Sequence, residues 1–360
     1  DHGALGDGST DDTAAIQAAI DATPDGGAVI FDALRYRLEG RLEIVRSGVV
    51  LRGEGSDAEG TVLAFENPLE DLIGESVTWS WSGGLIEFTS TESRTEIGPL
   101  TADALRGDTW LELADTGPVT EGDLVLLSLS DDSGSLELHL HNDQDGGADC
   151  DWQQPYVFRW PVRVSRVEGN RIELAQPLRI DIRSEWSPTL YTAPFLHEVG
   201  VESLRIEFPD DVDYAGHLEE PGYNGITFTD GVVDGWVRDV AIVNSDNGIL
   251  PDPWSKNLTF SDIELLGRDG HHGFNLNNAS DILIQRVHVG ADFIHAFTVD
   301  HKTNGSVFRQ CTADHLMELD HHRDGSFENL FTDIRVETTF FHGGSSCAGP
   351  SSGARATFWN

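Results

Sequence analysis

Lysine is almost missing from this 360-residue chain. Only Lys256 and Lys302 stand among 23 basic residues, against 62 acidic ones, for a net charge of -39. A field of that sign repels nucleic acid and anionic membranes, so neither is expected as a partner. An anionic substrate meets the same repulsion, and local cations must reverse it. Scarce lysine with abundant Asp and Glu fits a saline habitat, where salt screens self-repulsion, and equally an acidic protein from a high-GC genome. Apolar runs are too short to span a membrane. Cysteine is scarce as well, with three residues. Cys311 falls at an inward strand position and reads as a buried thiol. Cys150 and Cys347 lie in loops, and a pairing between them requires an oxidising compartment and a proximity the sequence does not show. The chain opens at Asp1 without a methionine, so a removed leader is expected, with a secreted, extracellular or periplasmic location. The stretch Ala356 to Trp359 reads as an interrupted strand, so further turns are expected beyond Asn360.

What the chain does have is repetition. Short strands with alternating apolar residues recur through the C-terminal half. Their equivalent positions Val240, Ile263, Val287, Cys311 and Ile334 follow one another at intervals of 23, 24, 24 and 23 residues. A fixed period of that size marks a solenoid. Leucine-rich repeats have a similar period but need recurrent Leu and a helical element. The connections here are rich in Asn, Asp and Gly, which points to an all-β parallel β-helix. Val201 to Ile206 reads as one more turn, followed by an inserted loop from Asp210 to Gly222. With 39% hydrophobic residues the chain can bury a continuous core.

An open solenoid end needs a cover. Thr10, Asp11 and Asp12 supply cap residues, Ile16, Ala19 and Ile20 fall on one helical face, and Gly26-Gly27 ends the helix. The stretch Gly3-Ala4-Leu5-Gly6-Asp7-Gly8-Ser9-Thr10-Asp11-Asp12-Thr13-Ala14-Ala15-Ile16-Gln17-Ala18-Ala19-Ile20 resembles the opening of pectate-lyase-like right-handed parallel β-helix proteins. Where relatives carry Pro-Ala-Gly-Thr-Tyr, this chain has Asp32-Ala33-Leu34-Arg35-Tyr36. The resemblance implies the fold and a polysaccharide substrate. It does not choose among the lyases, glycoside hydrolases and phage tailspikes of that superfamily, and since trimers occur on the fold it allows a homotrimer.

The domain plan that follows has three parts: 1–93 as cap and first turns, 94–185 as an inserted β subdomain lacking the repeat, and 186–360 as the main turns. Inside the subdomain, Ser128 to Trp160 reads as a long irregular loop, functional or ordered by metal. His139-Leu140-His141 is read there as an alternating strand edge. Asp143, Asp145, Asp149 and Asp151 alternate around glycines as calcium ligands do, but the spacing departs from the EF-hand pattern. A solvated acidic loop is the favoured reading of those four.

Aligning the strand that opens each turn gives two stacks of polar residues, with turns about 4.8 Å apart. One contains Asn224, Asn247, His272, His295 and His315, the other Thr229, Asp252, Asn277, Asp300 and Asp320. The asparagines read as a structural ladder. Clustered carboxylates must share a proton, bind a cation or be kept apart by solvent. In a lyase, Asp252, Asn277, Asp300 and Asp320 are candidate Ca²⁺ ligands, and the ion would neutralise a uronate carboxylate. Lys302, Arg323 or one of His272, His295, His301, His315 and His321 would then remove the adjacent proton. His271 and His322 belong to the same histidine set, and a transition-metal site built from His and Asp on adjacent turns is a further option. In a hydrolase, Asp300 with Asp320 would suit a retaining spacing and Asp252 with Asp300 an inverting one. Asn244-Ser245-Asp246 and Gly270-His271-His272-Gly273 echo polygalacturonase-like motifs only in part. A non-catalytic glycan binder would use Trp79, Trp81, Trp152, Trp160, Trp186 and Trp254 as sugar platforms. The favoured expectation is a polysaccharide lyase acting on a uronate-containing glycan, ahead of a glycoside hydrolase. Calcium is the one cofactor suggested, and no organic cofactor is expected.

Overall fold

Val237, Phe260, Ile284, Phe308, Phe331 and Phe358 come from six successive strands and lie in register, each paired with the next in parallel. That stacking is what a repeat near 24 residues produces when each turn returns to the same azimuth. The computed structural model describes residues 2–90, 94–144, 155–336, 338–343 and 352–359. Its largest sheet has 13 strands and its second has eight, and every pairing within the two is parallel. The second sheet runs through Leu42–Ile44, Ile86–Thr89, Asn224–Thr229, Asn247–Pro251, Gly270–Asn277, Phe293–Asp300, Met317–Arg323 and Thr339–Gly343. Its inward positions form two columns, Phe88 beside Phe228 in one and Ile226, Ile249, Phe274, Phe297 and Leu319 in the other; Phe88 stacks on Phe228, and tilted ring contacts run from Phe228 through Phe260, Phe274 and Phe297 to Phe308. Each buried ring contributes roughly 1.5–3 kcal/mol, with stacked pairs adding somewhat more. The fold is therefore a parallel β-helix, as the periodicity requires.

Helix Thr13–Ala22 covers the N-terminal end with Ile16 and Ile20 buried against the first strands. Asp12 holds the N-cap position, but its carboxylate is turned away to accept the amides of Leu5 and Gly6 at 2.7 and 2.9 Å. Asp11 takes the Thr13 amide instead, at 3.0 Å.

A six-stranded antiparallel sheet from Thr95–Pro99 to Thr189–Thr192 forms the insertion, with its own core that includes Trp160 and Trp186. The sheet thus continues past residue 185. The segment between Ser128 and Trp160 is less irregular than its sequence suggests. Strand Leu124–Asp131 enters it, strand Tyr156–Glu168 leaves it, and Ser135–Leu140 is helical. His139 and His141 therefore do not line a strand edge. The His139 ring packs on Trp186, and its Nε2 accepts the Asp181 amide at 3.2 Å. Asp143 is exposed in a turn, whereas Asp145, Asp149, Asp151, Trp152, Cys150 and Cys347 lie outside the described residues. Cys311 is buried and free, and burial pushes its thiol up to about 11.

The two lysines lock the subdomain onto the β-helix. Lys256 is ion-paired with Asp281, and its ammonium sits 4.6 Å from the Trp160 ring centroid. Lys302 pairs with Asp324 and sits 4.2 Å from the Tyr156 ring centroid. Trp160 and Tyr156 share one face of the same subdomain strand. Both lysines are almost wholly buried. Lysine, whose compact charge is costly to bury, is used only where a carboxylate and an aromatic face are both waiting.

Candidate functional site

The outer face of the second sheet is a trough between two walls. On one side the subdomain strand turns Arg159 toward Trp254, the residue that begins the turn after Asn247–Pro251. On the other, the loop 209–222 is tied down by the Gly222 and Tyr223 amides, which donate to Asp246 Oδ2 at 3.1 and 2.8 Å. Loop residues His217 and Glu220 are thereby brought over the start of the sheet.

Along the floor, Asn277 is paired with Asp300, and Asp300 with Arg323 after a bulge. Asn277 Nδ2 donates to Asp252 Oδ1 at 3.4 Å, which extends the row by one turn. Asp252 is 5% exposed. Burial dominates its surroundings and raises its pKa to about 7, against the hydrogen bonds from Asn277 and Thr227. Asp300 goes the other way. Burial opposes its charge, but His301, Arg323 and His322 outweigh that and bring it to about 2. Arg323 Nε lies 3.2 Å from both Asp300 oxygens, and His301 Nδ1 lies 3.0 Å from Oδ1. His322 donates from Nδ1 to Asp320 Oδ2 at 2.8 Å, and this bond with the charges of Asp300 and Asp320 lifts its pKa despite burial.

The last turn departs from the expected alignment. Phe297 pairs with Leu319 and Thr298 with Asp320, an offset of 22, and residues 314–316 leading into the strand are exposed. His315 is consequently exposed and out of the stack. Asp320 lies beside Thr298 rather than Asp300, so the proposed retaining pair does not form neighbours in register. His321 points inward, with Phe331 and Phe358 each 5.5 Å away centroid to centroid, and is part of the core. Lys302 does not face the trough at all. His272 extends the asparagine ladder: Asn247 donates to Asn224 at 2.7 Å, and His272 Nδ1 meets Asn247 Oδ1 at 2.9 Å. Burial keeps that imidazole far below its ordinary pKa, hence neutral.

The carboxylates expected to hold calcium do not converge. Asp300 is committed to Arg323 and His301, and Asp320 to His322, while Asp252 stands apart with Asn277. An oxygen cage for Ca²⁺ needs six or more ligands, so these residues do not fit one.

Histidines gather instead at the head of the sheet. His271, His295 and the loop residue His217 bring one nitrogen each to within 4.8 Å of one another. His295, Asp320 and His322 form a second such group. His217, Glu220 and Glu318 are absent from the sequence reading. Nothing local marks a residue in a loop that acts on a strand 50 or more positions later.

At the opposite wall, Arg94 Cζ lies 4.6 Å and Arg159 Cζ 5.4 Å from the Trp254 ring centroid, with Arg94 also 5.8 Å from that of Tyr191. Among the described residues neither arginine has a carboxylate in ion-pair range. The side-chain Nε of Arg159 and Nε1 of Trp254 are buried without hydrogen-bond partners. Burial, and then the charge of Arg94, lower the Arg159 pKa. In a chain with so large an acid excess, two neighbouring cations without an ion-pair partner among the described residues are the exception, with the charge of Asp230 felt by Arg94 only at longer range.

Comparison with known proteins agrees with this architecture. Residues 1–68 match the family described as rhamnogalacturonase A/epimerase, pectate lyase-like. The mannuronan C5-epimerase AlgE3 of Azotobacter vinelandii is 49% identical over 63 residues, which are 15% of this chain and 3% of that protein. Among solved structures, the tailspike gp61 of Pseudomonas phage phi297 matches over 96% of this chain and 59% of its own, with a TM-score of 0.58 and 13% identity. The Gp54 tailspike of Acinetobacter baumannii phage AP22, solved with a capsular saccharide, matches over 93% and 55%, with a TM-score of 0.51 and 13% identity. At those identities the likeness is one of fold. No described helix is long and apolar enough to cross a membrane. Residues 1–68 are thus similar to a pectate-lyase-like family, and nearly the whole chain shares the parallel β-helix fold of the tailspikes.

Proposed function

We propose that this protein is a polysaccharide-active enzyme, and that its trough takes a uronate-containing chain and removes the proton next to a uronate carboxylate. The observation that carries this reading is the pair Arg94 and Arg159 on Trp254, two residues after Asp252, with the Trp254 amide bonded to the carbonyl of Asn278 beside Asn277 on the next turn. The charge of the whole protein repels an anionic glycan, and this is where local cations and an aromatic face reverse that repulsion. Asp252 supplies the proton transfer. A carboxyl with a pKa near neutrality is a stronger base than an ordinary carboxylate, yet still has an ionised fraction at pH 7. In a lyase the carbanion electrons form the C4–C5 double bond and expel the 4-linked sugar oxygen, which is protonated by water or by the Asp252 carboxyl that now carries the abstracted proton, leaving an unsaturated uronate. The same abstraction with a proton delivered from water to the opposite face would give the C5 epimer, the reaction in the name of the Azotobacter relative.

Hydrolysis is the second reading, favoured by the opposed pKa values of Asp252 and Asp300 two turns, or about 9.6 Å, apart. Against it, Asp300 is already held in an ion pair, with Arg323 Nε facing both of its oxygens and the His301 ring facing Oδ1.

The test is binding of acidic and neutral glycans to wild type, Arg94→Ala and Arg159→Ala. The account requires wild type to bind a polyuronate in a salt-sensitive way and each variant to bind it at least about tenfold more weakly, one charged hydrogen bond being worth roughly 1.5–3 kcal/mol. Equal affinity for neutral chains, or indifference to both substitutions, would sink the assignment.

A further inference from the structure

His217, His271 and His295 come from three separate places in the chain, and no hydrogen bond links them to one another among the described residues. Stacking on neighbouring strands accounts for the approach of His271 and His295, but His217 comes from the inserted loop and still brings a nitrogen to within 4.8 Å of both, its ring 4.7 Å from that of His271. What surrounds them is specific. His295 Nδ1 is hydrogen-bonded to Glu318 Oε2. His271 Nδ1 lies 3.1 Å from Glu220 Oε1, at an angle too bent for a good hydrogen bond. Both Nδ1 atoms are thus turned toward carboxylates. A carboxylate behind each imidazole is the arrangement that orients metal-binding histidines and raises their basicity.

Glu220 adds a second, independent sign. It is 4% exposed and has no Lys or Arg in ion-pair range among the described residues. Tyr214 donates to its Oε1 at 2.6 Å, and Ser80 donates to Oε2. A carboxylate so firmly oriented, and so buried, needs a positive charge nearby, and His271, protonated or bound to a cation, is the partner in place. The other histidines do not supply it. His272 is engaged in the asparagine ladder, and the group of His295, Asp320 and His322 is explained by the bond from His322 Nδ1 to Asp320 Oδ2 at 2.8 Å.

We infer that His217, His271 and His295 form a three-histidine site for a divalent transition metal of the zinc class, which pins the loop 209–222 across the head of the sheet. Three neutral imidazoles suit a tetrahedral ion with one position left for water or a ligand oxygen. His217 is exposed, so that position opens at the trough mouth. The site stands apart from the Arg94, Arg159 and Asp252 region and does not depend on the reaction assigned there.

The full chain, stripped with chelator, is titrated with cobalt(II) and read by the intensity of its visible ligand-field bands, with zinc as competitor. One ion per chain is expected, with the strong bands of tetrahedral nitrogen ligation. His217→Ala removes an exposed loop side chain and should abolish those bands, while Glu220→Gln should weaken binding about 10–100-fold. His322→Gln and the remote His288→Ala should leave the titration unchanged. Absence of stoichiometric uptake of either metal by wild type overturns the site. So does uptake that survives His217→Ala, or that is lost in His322→Gln instead.

Discussion

Replacing Asp252 by asparagine should make the protein more stable at alkaline pH while removing its chemistry. Folding moves this carboxyl from its ordinary 3.8 to about 7, because burial disfavours the ionised form. A group raised in this way lends its full contribution below the unfolded pKa, and that contribution is lost as pH climbs through the folded one. With about 1.4 kcal/mol for each tenfold change in proton affinity, the native state forgoes roughly 4 kcal/mol above pH 7. At 5% exposure little solvent screening reduces this figure. Asparagine keeps the shape and can still meet Asn277 and Thr227, but never ionises. Guanidinium unfolding of both proteins, from about pH 4 to pH 9, measures the difference directly. The two curves should converge near pH 4 and separate as pH rises, with the variant several kcal/mol ahead at pH 9. Equal stability throughout, or a variant weaker at every pH, would refute a buried, reluctantly ionised Asp252. Stability gained at the cost of function is the usual signature of a strained catalytic group.

Two further outcomes concern residues that the structure moves out of the site. Lys302→Met leaves Asp324 partly buried without its cation and should lower unfolding stability by up to roughly 3 kcal/mol, largely recovered by adding Asp324→Leu. Unchanged stability with lost activity would return Lys302 to the role of base. His321 sits between Phe331 and Phe358, and burial lowers its pKa to about 4, so its contribution holds above pH 6.5 and is lost as pH falls toward 4. His321→Leu should therefore resist acid unfolding better than wild type, by roughly 3 kcal/mol near pH 4, and identical acid transitions in thermal scans would contradict the inward placement.

The solenoid was legible because its determinant is local and repeated. Val240, Ile263 and Val287 are partners in register, as their spacing requires, since an inward apolar position must recur at each turn. The asparagine ladder was legible for the same reason. The alignment slipped at the last turn, where Thr298 rather than Asp300 meets Asp320, because polar residues on the outer face tolerate an offset that no buried column would. Rarity rightly marked Lys256 and Lys302 as special, but rarity does not give direction, and both point into the subdomain junction. His217 and Glu220 escaped notice because an inserted loop meets the sheet through tertiary contacts alone. Arg94 and Arg159 escaped for a similar reason: they lie on different strands and loops, and only folding sets both against Trp254.

Product analysis on polyuronates tests the central claim most directly. Wild type and Asp252→Asn are incubated with a panel of uronate-containing and neutral polysaccharides. Ultraviolet absorbance of unsaturated uronate, reducing ends and the uronate stereochemistry by proton NMR are followed together. The account predicts a change confined to uronate-containing chains, either unsaturated ends or inverted C5 centres, and its loss in Asp252→Asn. Reducing ends without unsaturation or inversion, or activity that persists in Asp252→Asn, would contradict proton abstraction at this site.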